Sequence, residues 1–261
     1  MADRTLETLA SRRFLPLFVT QFLGAFNDNL FKNAIAILIL YRIFDQAGAN
    51  GQILVTIGTG LFILPFFLFS ATAGQLADKF AKPRLIRAVK LCEIVAMSLA
   101  ALGFALGNAY FLMGVLFLMG SQSAFFSPLK YGLLPEHLSE QELVGANALL
   151  EAGTFLAILL GTIAGGLLIL AEGGTAIVSA MLLVLALAGW AASLFIPPAK
   201  LAMPDLRVNW NLYVETRDIL LHAAGRREVL LSILGISWFW LVGATFLAQF
   251  PAFAKEVLGG N

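Results

Sequence analysis

Apolar residues occur in long uninterrupted blocks along this chain. Glycine, asparagine and proline predict turns between several of these blocks, at Gly48–Gly51, Gly107–Asn108, Glu172–Gly174 and Pro197–Pro198. Each block is long enough to cross a bilayer, which takes about 20 residues in an α-helix. The blocks do not alternate apolar and polar residues as the strands of a membrane barrel do. The pattern therefore predicts membrane-spanning helices at residues 14–43, 53–76, 85–107, 111–133, 144–170, 177–196 and 229–253.

Composition supports an all-α membrane protein. The chain is 59% hydrophobic and 13% charged, with a mean hydropathy of +0.86, whereas soluble domains carry about 25% charged residues. The net charge of +1 gives no indication of nucleic-acid binding, and the single cysteine, Cys92, permits no intrachain disulfide. The first apolar block, at about 30 residues, is too long for the core of a cleaved signal peptide.

The distribution of lysine and arginine predicts the orientation. Three lie in the N-terminal tail, four in residues 77–87 and five in residues 197–228, whereas the loops on the other side hold none between the spans. By the positive-inside rule, the N-terminus is expected in the cytoplasm of a bacterium, with the helices in the inner membrane.

Residues 197–228 form the one long polar connection. Apolar residues within it, including Trp210, Tyr213, Leu220 and Leu221, fall near helical spacing, which favours an amphipathic helix on the inner membrane surface. A solvated linker with local helicity is the alternative.

The order of the spans predicts the domains. Six spans, a long linker and a seventh span are typical of transporters built from two halves. We therefore expect a six-helix bundle at 1–196, a cytoplasmic linker at 197–228, and the first helix of a second bundle at 229–261. On this interpretation the chain is part of a twelve-helix transporter that continues beyond Asn261.

The loop after the second span combines a small residue, an acid and several bases: Gly74, Asp78, Lys79, Lys82 and Arg84. The acid is expected to pair with these bases, or to lie at the positive end of a neighbouring helix, and so to close the cytoplasmic face. The alternative is that the cations serve orientation alone.

Span one carries Asn27, Asp28 and Asn29 in its middle. An ionised group at that depth costs several kcal/mol unless it is paired or hydrated, so intramembrane charges indicate a transport pathway. The alternative is a local pair between Asp28 and Lys32, one helical turn apart, which would serve packing.

Two further charges are expected at one depth near the inner face. Lys130 lies near the inner end of span four and Glu151 enters span five, so the two side chains are predicted to pair across the bundle. Lys130 reaching out to the cytoplasmic interface is the alternative. Lys90 and Glu93 in span three are assigned only a minor role.

Four segments together resemble the bacterial lysophospholipid transporter family of the major facilitator superfamily. The resemblance covers most of residues 14–196 and is carried by Gln21–Asn29, Gly74–Lys82, Ser127–Gly132 and Ala146–Ala152. It implies inward transport of lysophospholipids, which an acyltransferase and acyl-carrier-protein synthetase, either cytoplasmic or fused to the transporter, then re-acylate.

The implied substrate has a polar head and one acyl chain. As a hypothesis, Asp28, Asn27 and Asn29 would meet an amine head group and Lys130 the phosphate. Phe125 and Phe126 would hold the chain.

Three other functions are alternatives to this one. An exporter of another amphipathic substrate uses the same fold, but span four lacks the buried arginine common in proton-coupled exporters. An acyltransferase would need a His-x4-Asp motif, which neither His137 nor His222 provides, and no metal or cofactor site is predicted. A passive anchor would not need Asp28, Lys130 or Glu151.

Overall fold

The computed structural model describes residues 7–43, 49–199, 203 and 205–256, and no strand occurs among them. Arg4 and Lys200, which are among the basic residues counted above, lie outside these residues, as do Gly48 of the first predicted turn and Asn261. The helices are α1 (Leu15–Leu38, continued by a π-helix at Ile39–Ile43), α2 (Ala49–Lys79), α3 (Lys82–Leu106), α4 (Ala109–His137), α5 (Glu140–Leu170), α6 (Gly174–Ser193), α7 (Leu212–Ala224) and α8 (Arg227–Glu256).

Six helices of the described residues are long and apolar enough to cross a membrane: α2 to α6 and the first part of α8, Arg227–Phe246. The 24 residues of α1 give a length of about 36 Å, which is also sufficient. Its middle holds Asn27–Asn29, Lys32 and Asn33, however, and these polar residues lower its hydropathy. That α1 is a seventh span stays a prediction.

Two predicted turns are confirmed by backbone conformation. Gly107 and Gly173 both adopt the left-handed conformation, with φ of 59° and 68°, which glycine reaches without steric cost. The Asn108 side chain accepts a hydrogen bond from the Phe111 amide at 3.0 Å and begins α4. Other boundaries differ: α2 already begins at Ala49, where a turn was predicted at residues 48–51, and α4 continues past residue 133 to His137.

Helices α1 to α6 pack in a pattern with internal symmetry. Helix α1 lies against α5 and α6, α4 lies against α2 and α3, and α3 also contacts α6. Exchanging α1–α3 with α4–α6 leaves this set of contacts unchanged. Because short connections make successive helices antiparallel, the two triplets run in opposite senses, as expected of inverted repeats.

Glycines on α5 bring its backbone against α1. A Cβ atom at Gly161 would lie 2.5 Å from the carbonyl oxygen of Phe26, and one at Gly165 would meet the carbonyl oxygen of Leu30. The small-xxx-small pattern of α5 therefore serves close helix packing.

Two apolar clusters are separated by a polar level. In α1, Leu17 belongs to one cluster, and the buried apolar residues from Leu30 onward belong to the other. In α3, Ile86 lies in the cluster of Leu17, and the buried residues from Ala96 onward lie in the cluster of Leu30. In α4 the order is reversed: buried residues up to Met119 lie in the cluster of Leu30, and those from Phe126 onward lie in the cluster of Leu17. Between the clusters, these three helices carry a group of polar residues: Gln21, Asn27, Asp28, Asn29, Lys90, Glu93, Gln122 and Ser123.

The linker contacts the second helix. The Gln75 side chain donates to the Asn209 carbonyl at 3.2 Å and accepts from the Asn209 amide at 2.7 Å. Helix α7 then begins at its cap residue Asn211, and Trp210 and Tyr213 are exposed beside it. These exposed aromatic groups fit a helix at a membrane surface, which stays a prediction.

Candidate functional site

A cavity of about 240 Å³ opens at the polar level of the bundle. Five helices of the bundle and α8 contribute to its wall, and the lining combines four charged side chains with several amides, hydroxyls and aromatic rings. The charged residues are Asp28, Lys32, Lys90 and Lys130; Gln21, Asn29, Gln122, Ser123, Ser127, Thr154, Phe62, Phe66, Phe126 and Trp240 are among the others.

The carboxylate of Asp28 is held by a short chain of hydrogen bonds from α4. Gln122 Nε2 donates to Ser123 Oγ at 3.0 Å, and Ser123 Oγ donates to Asp28 Oδ2 at 2.8 Å. Asp28 Oδ1 and Gln122 Oε1 are buried and have no donor among the described residues. Such unpaired acceptors are costly in a low-dielectric interior, so this side of the cavity can accept hydrogen bonds from a ligand.

The alternative of an Asp28–Lys32 pair is not realised in this structure. Lys32 Nζ lies 4.5 Å from the centre of the Phe62 ring, and the ion pairs between described side chains involve neither residue. Both side chains line the cavity. Asp28 and Lys32 are therefore two separate charges on its wall.

Asn27 faces away from the cavity and into α3. Its Nδ2 donates to Glu93 Oε1 at 3.0 Å, and Glu93 Oε2 accepts from Lys90 Nζ at 2.6 Å. Lys90 and Glu93 side chains are each 1% exposed. The sequence predicts only a minor role for this pair, but it is the deepest ion pair among the described residues and Lys90 belongs to the cavity wall.

Lys130 and Glu151 do not form the predicted pair. Lys130 lines the cavity, with its Nζ 4.7 Å from the centre of the Tyr131 ring, whereas Glu151 lies outside the cavity wall and accepts a hydrogen bond from Tyr131 Oη. Tyr131 therefore lies against both groups.

The segment Gly74–Arg84, called the α2–α3 loop here, includes the end of α2 and the start of α3, and it differs from its prediction too. Asp78 is exposed, and among the described residues its side chain forms no ion pair with Lys79, Lys82 or Arg84. Lys82 instead pairs with Glu136 near the end of α4.

The glycine of this loop motif does not sit at a tight contact. A Cβ atom at Gly74 would meet nothing within 4 Å. The main chain of the loop contacts the linker, since the Asp78 carbonyl accepts from the Met203 amide at 2.9 Å.

Sequence reasoning missed Gln122, Ser123 and Trp240 as parts of the site. Lys90 and Glu93 carry a stronger signal than the minor role predicted for them, because they lie about 12 and 16 Å along α3 from Lys82 and so within the membrane. A neutral serine or glutamine in an apolar helix carries no comparable signal.

The chain is similar in sequence to known proteins. It is 33% identical, over 98% of its length, to lysophospholipid transporters of Salmonella schwarzengrund (strain CVM19633), Salmonella gallinarum (strain 287/91 / NCTC 13346) and Salmonella typhimurium (strain LT2). The chain spans 61% of the length of these relatives. A model of the major facilitator superfamily matches residues 17–261. With its apolar helices and central polar cavity, the chain is a membrane protein that belongs to the major facilitator superfamily.

Proposed function

We propose that this chain is part of a transporter that moves lysophospholipid across the bacterial inner membrane by alternating access. The observation that carries the proposal is the cavity inside the helix bundle, where charged groups and aromatic rings line one space. The 33% identity to lysophospholipid transporters over 98% of the chain supports this substrate class.

The wall of the cavity suits an amphipathic lipid. Asp28 Oδ1 and Gln122 Oε1 offer free acceptors to a head-group amine or hydroxyl. Lys130 offers a cation for the phosphate, and the rings of Phe62 and Phe66 supply an apolar wall for part of the acyl chain.

The predicted binding residues then take different roles. Asp28, Asn29 and Lys130 line the cavity and are proposed to contact the lipid. Asn27 donates a hydrogen bond to Glu93, and Glu151 accepts one from Tyr131. Neither Asn27 nor Glu151 lines the cavity, so each is proposed to position its neighbour instead of contacting the lipid.

The α2–α3 loop is proposed as part of the gate. Asp78 has no charged partner among the described residues in this conformation, whereas Lys82 is paired with Glu136. A clamp by Asp78, Lys79 or Arg84 would therefore form in another state of the transport cycle. Gly74 would then leave room for a helix to approach.

The membrane arrangement is also a proposal. We infer seven spans, α1 to α6 and α8, with the N-terminus in the cytoplasm, as the distribution of Lys and Arg favours. Residues 1–196 would form one bundle, and α8 would belong to the second bundle of a twelve-helix transporter. Alternating access requires both bundles, in agreement with relatives that are longer than this chain.

Uptake by the full-length transporter tests the function. Asp28→Ala and Lys130→Ala are each expected to reduce uptake of lysophosphatidylethanolamine into proteoliposomes at least about tenfold, because each removes a charge-assisted contact. Glu172→Ala, which removes an exposed acid between α5 and α6, is the control. Unchanged uptake in both cavity variants would discard these roles.

Export of another amphipathic substrate is separated by the same assay. A transporter that carries a cationic dye but not lysophospholipid would be of that kind. Use of the transported lipid by a cytoplasmic or fused acyltransferase stays a prediction, and co-purification of re-acylation activity with the full-length protein would test it.

A further inference from the structure

The buried ion pair of α3 is built from three helices. Lys90 and Glu93 bond to each other across one helical turn at 2.6 Å, and Asn27 of α1 bonds to the second oxygen of Glu93 at 3.0 Å. Phe126 of α4 places its ring centre 4.7 Å from Lys90 Nζ. The ammonium of Lys90 therefore has one defined position.

Stability does not explain this arrangement. A buried ion pair is often no more stable than apolar residues of similar volume, since the loss of hydration offsets the attraction between the charges. Gly24 of α1 even leaves the space that Lys90 Nζ occupies, because a Cβ atom there would collide with it. The protein thus accommodates a charged side chain at a depth where a leucine would pack.

The position of Lys90 points to a ligand. Lys90 contributes to the cavity wall, and Glu93 and Asn27, which hold it, do not. The charged residues of that wall are three lysines and one carboxylate: Lys32, Lys90, Lys130 and Asp28. This excess of cations suits an anion.

We propose that Lys90 binds the phosphate of the transported lipid, and that Glu93 and Asn27 are positioning residues that hold its ammonium at the cavity wall. The proposal rests on the proposed function and adds to it a second phosphate ligand beside Lys130. Lys90 contributes a charge-assisted hydrogen bond to the phosphate while Glu93 retains its bond to Asn27.

The test measures lipid binding by the full-length transporter in detergent. The double variant Lys90→Met/Glu93→Met removes both charges at similar volume, so the fold is expected to persist. Its affinity for lysophosphatidylethanolamine is expected to fall at least about tenfold, while its affinity for a monoacylglycerol with the same acyl chain, which has no phosphate, stays unchanged. Lys90→Arg, with Glu93 retained, should keep most of the affinity for the phospholipid.

A control variant and a substitute for the double variant complete the test. Arg87→Met removes a cation of the same helix whose guanidinium bonds the carbonyls at the end of α6, so phospholipid affinity should not change. If the double variant is not monodisperse, Lys90→Gln/Glu93→Gln replaces it with the same expectation.

The outcomes are distinct. Wild-type protein that binds no lysophospholipid would refute the proposed function itself. Wild-type binding with an unchanged double variant would refute the role of Lys90 alone. Equal losses for both lipids would assign the pair a structural role and overturn the proposal as well.

Discussion

The centre of the bundle and the α2–α3 loop both contain acids and bases, but they organise them differently. At the centre, Asp28 bonds to a hydroxyl from another helix and Glu93 bonds to Lys90 and Asn27. At the loop, Asp78 is exposed and has no ion-pair partner among the described residues, although bases surround it in the sequence.

The difference follows from hydration. A charge in a low-dielectric interior destabilises the protein by several kcal/mol unless partners compensate it, and the fold supplies these partners. An exposed acid is already hydrated, and a surface ion pair contributes only about 0–1 kcal/mol. Spacing in the sequence therefore predicts little about loop pairing, whereas depth in a helix predicts that some partner exists.

The largest effect is expected from breaking the central pair on one side. Glu93→Leu leaves Lys90 buried without its counter-charge and should lower the free energy of unfolding by about 3–5 kcal/mol. Chemical unfolding of the full-length protein in detergent measures this. Lys90→Met/Glu93→Met is the matched control and should lie close to wild type; a loss below about 1 kcal/mol in Glu93→Leu would show that the centre is as hydrated as the loop.

An intermediate effect is expected at a partly buried ion pair that the loop forms with α4. Lys82 pairs with Glu136, and Lys82→Met leaves that carboxylate without its cation. The free energy of unfolding should fall by about 1–3 kcal/mol. Lys79→Met, which removes a neighbouring lysine whose Nζ lies beside Phe80, should change it by less than about 0.5 kcal/mol. Equal losses in the two variants would contradict the pairing.

The hydroxyl that holds Asp28 should contribute less. Ser123→Ala removes one hydrogen bond to the carboxylate and is expected to cost about 1 kcal/mol. Ser127 lies one turn further along α4 and lines the same cavity, but its hydroxyl forms no hydrogen bond within the described part of the chain. Ser127→Ala should therefore be near neutral in the same unfolding measurement, and a reversed order would refute the hydrogen-bond chain.

The sequence predicts the helices better than the contacts between them. Blocks of apolar residues located α2 to α6 within a few residues, and the depth of Asp28 in its helix indicated a residue that lines the cavity. The partners of Asp28 could not be predicted, because Ser123 lies 95 residues away and helix pairing is not encoded in local periodicity. The Lys130–Glu151 pair failed for a related reason: equal depth does not place two side chains on facing sides of their helices.

The smallest effect on stability is expected at Asp78. Asp78→Asn removes the charge of an exposed side chain and should change the free energy of unfolding by less than about 0.5 kcal/mol. Lysophospholipid uptake by the same variant then distinguishes two roles for the loop. Reduced uptake with unchanged stability would support a clamp that forms in another conformation, because the lost interaction would be absent from the conformation described above. Unchanged uptake would assign the bases of this loop to membrane orientation alone, and a loss of stability above about 1 kcal/mol would mean that Asp78 is paired in the resting protein.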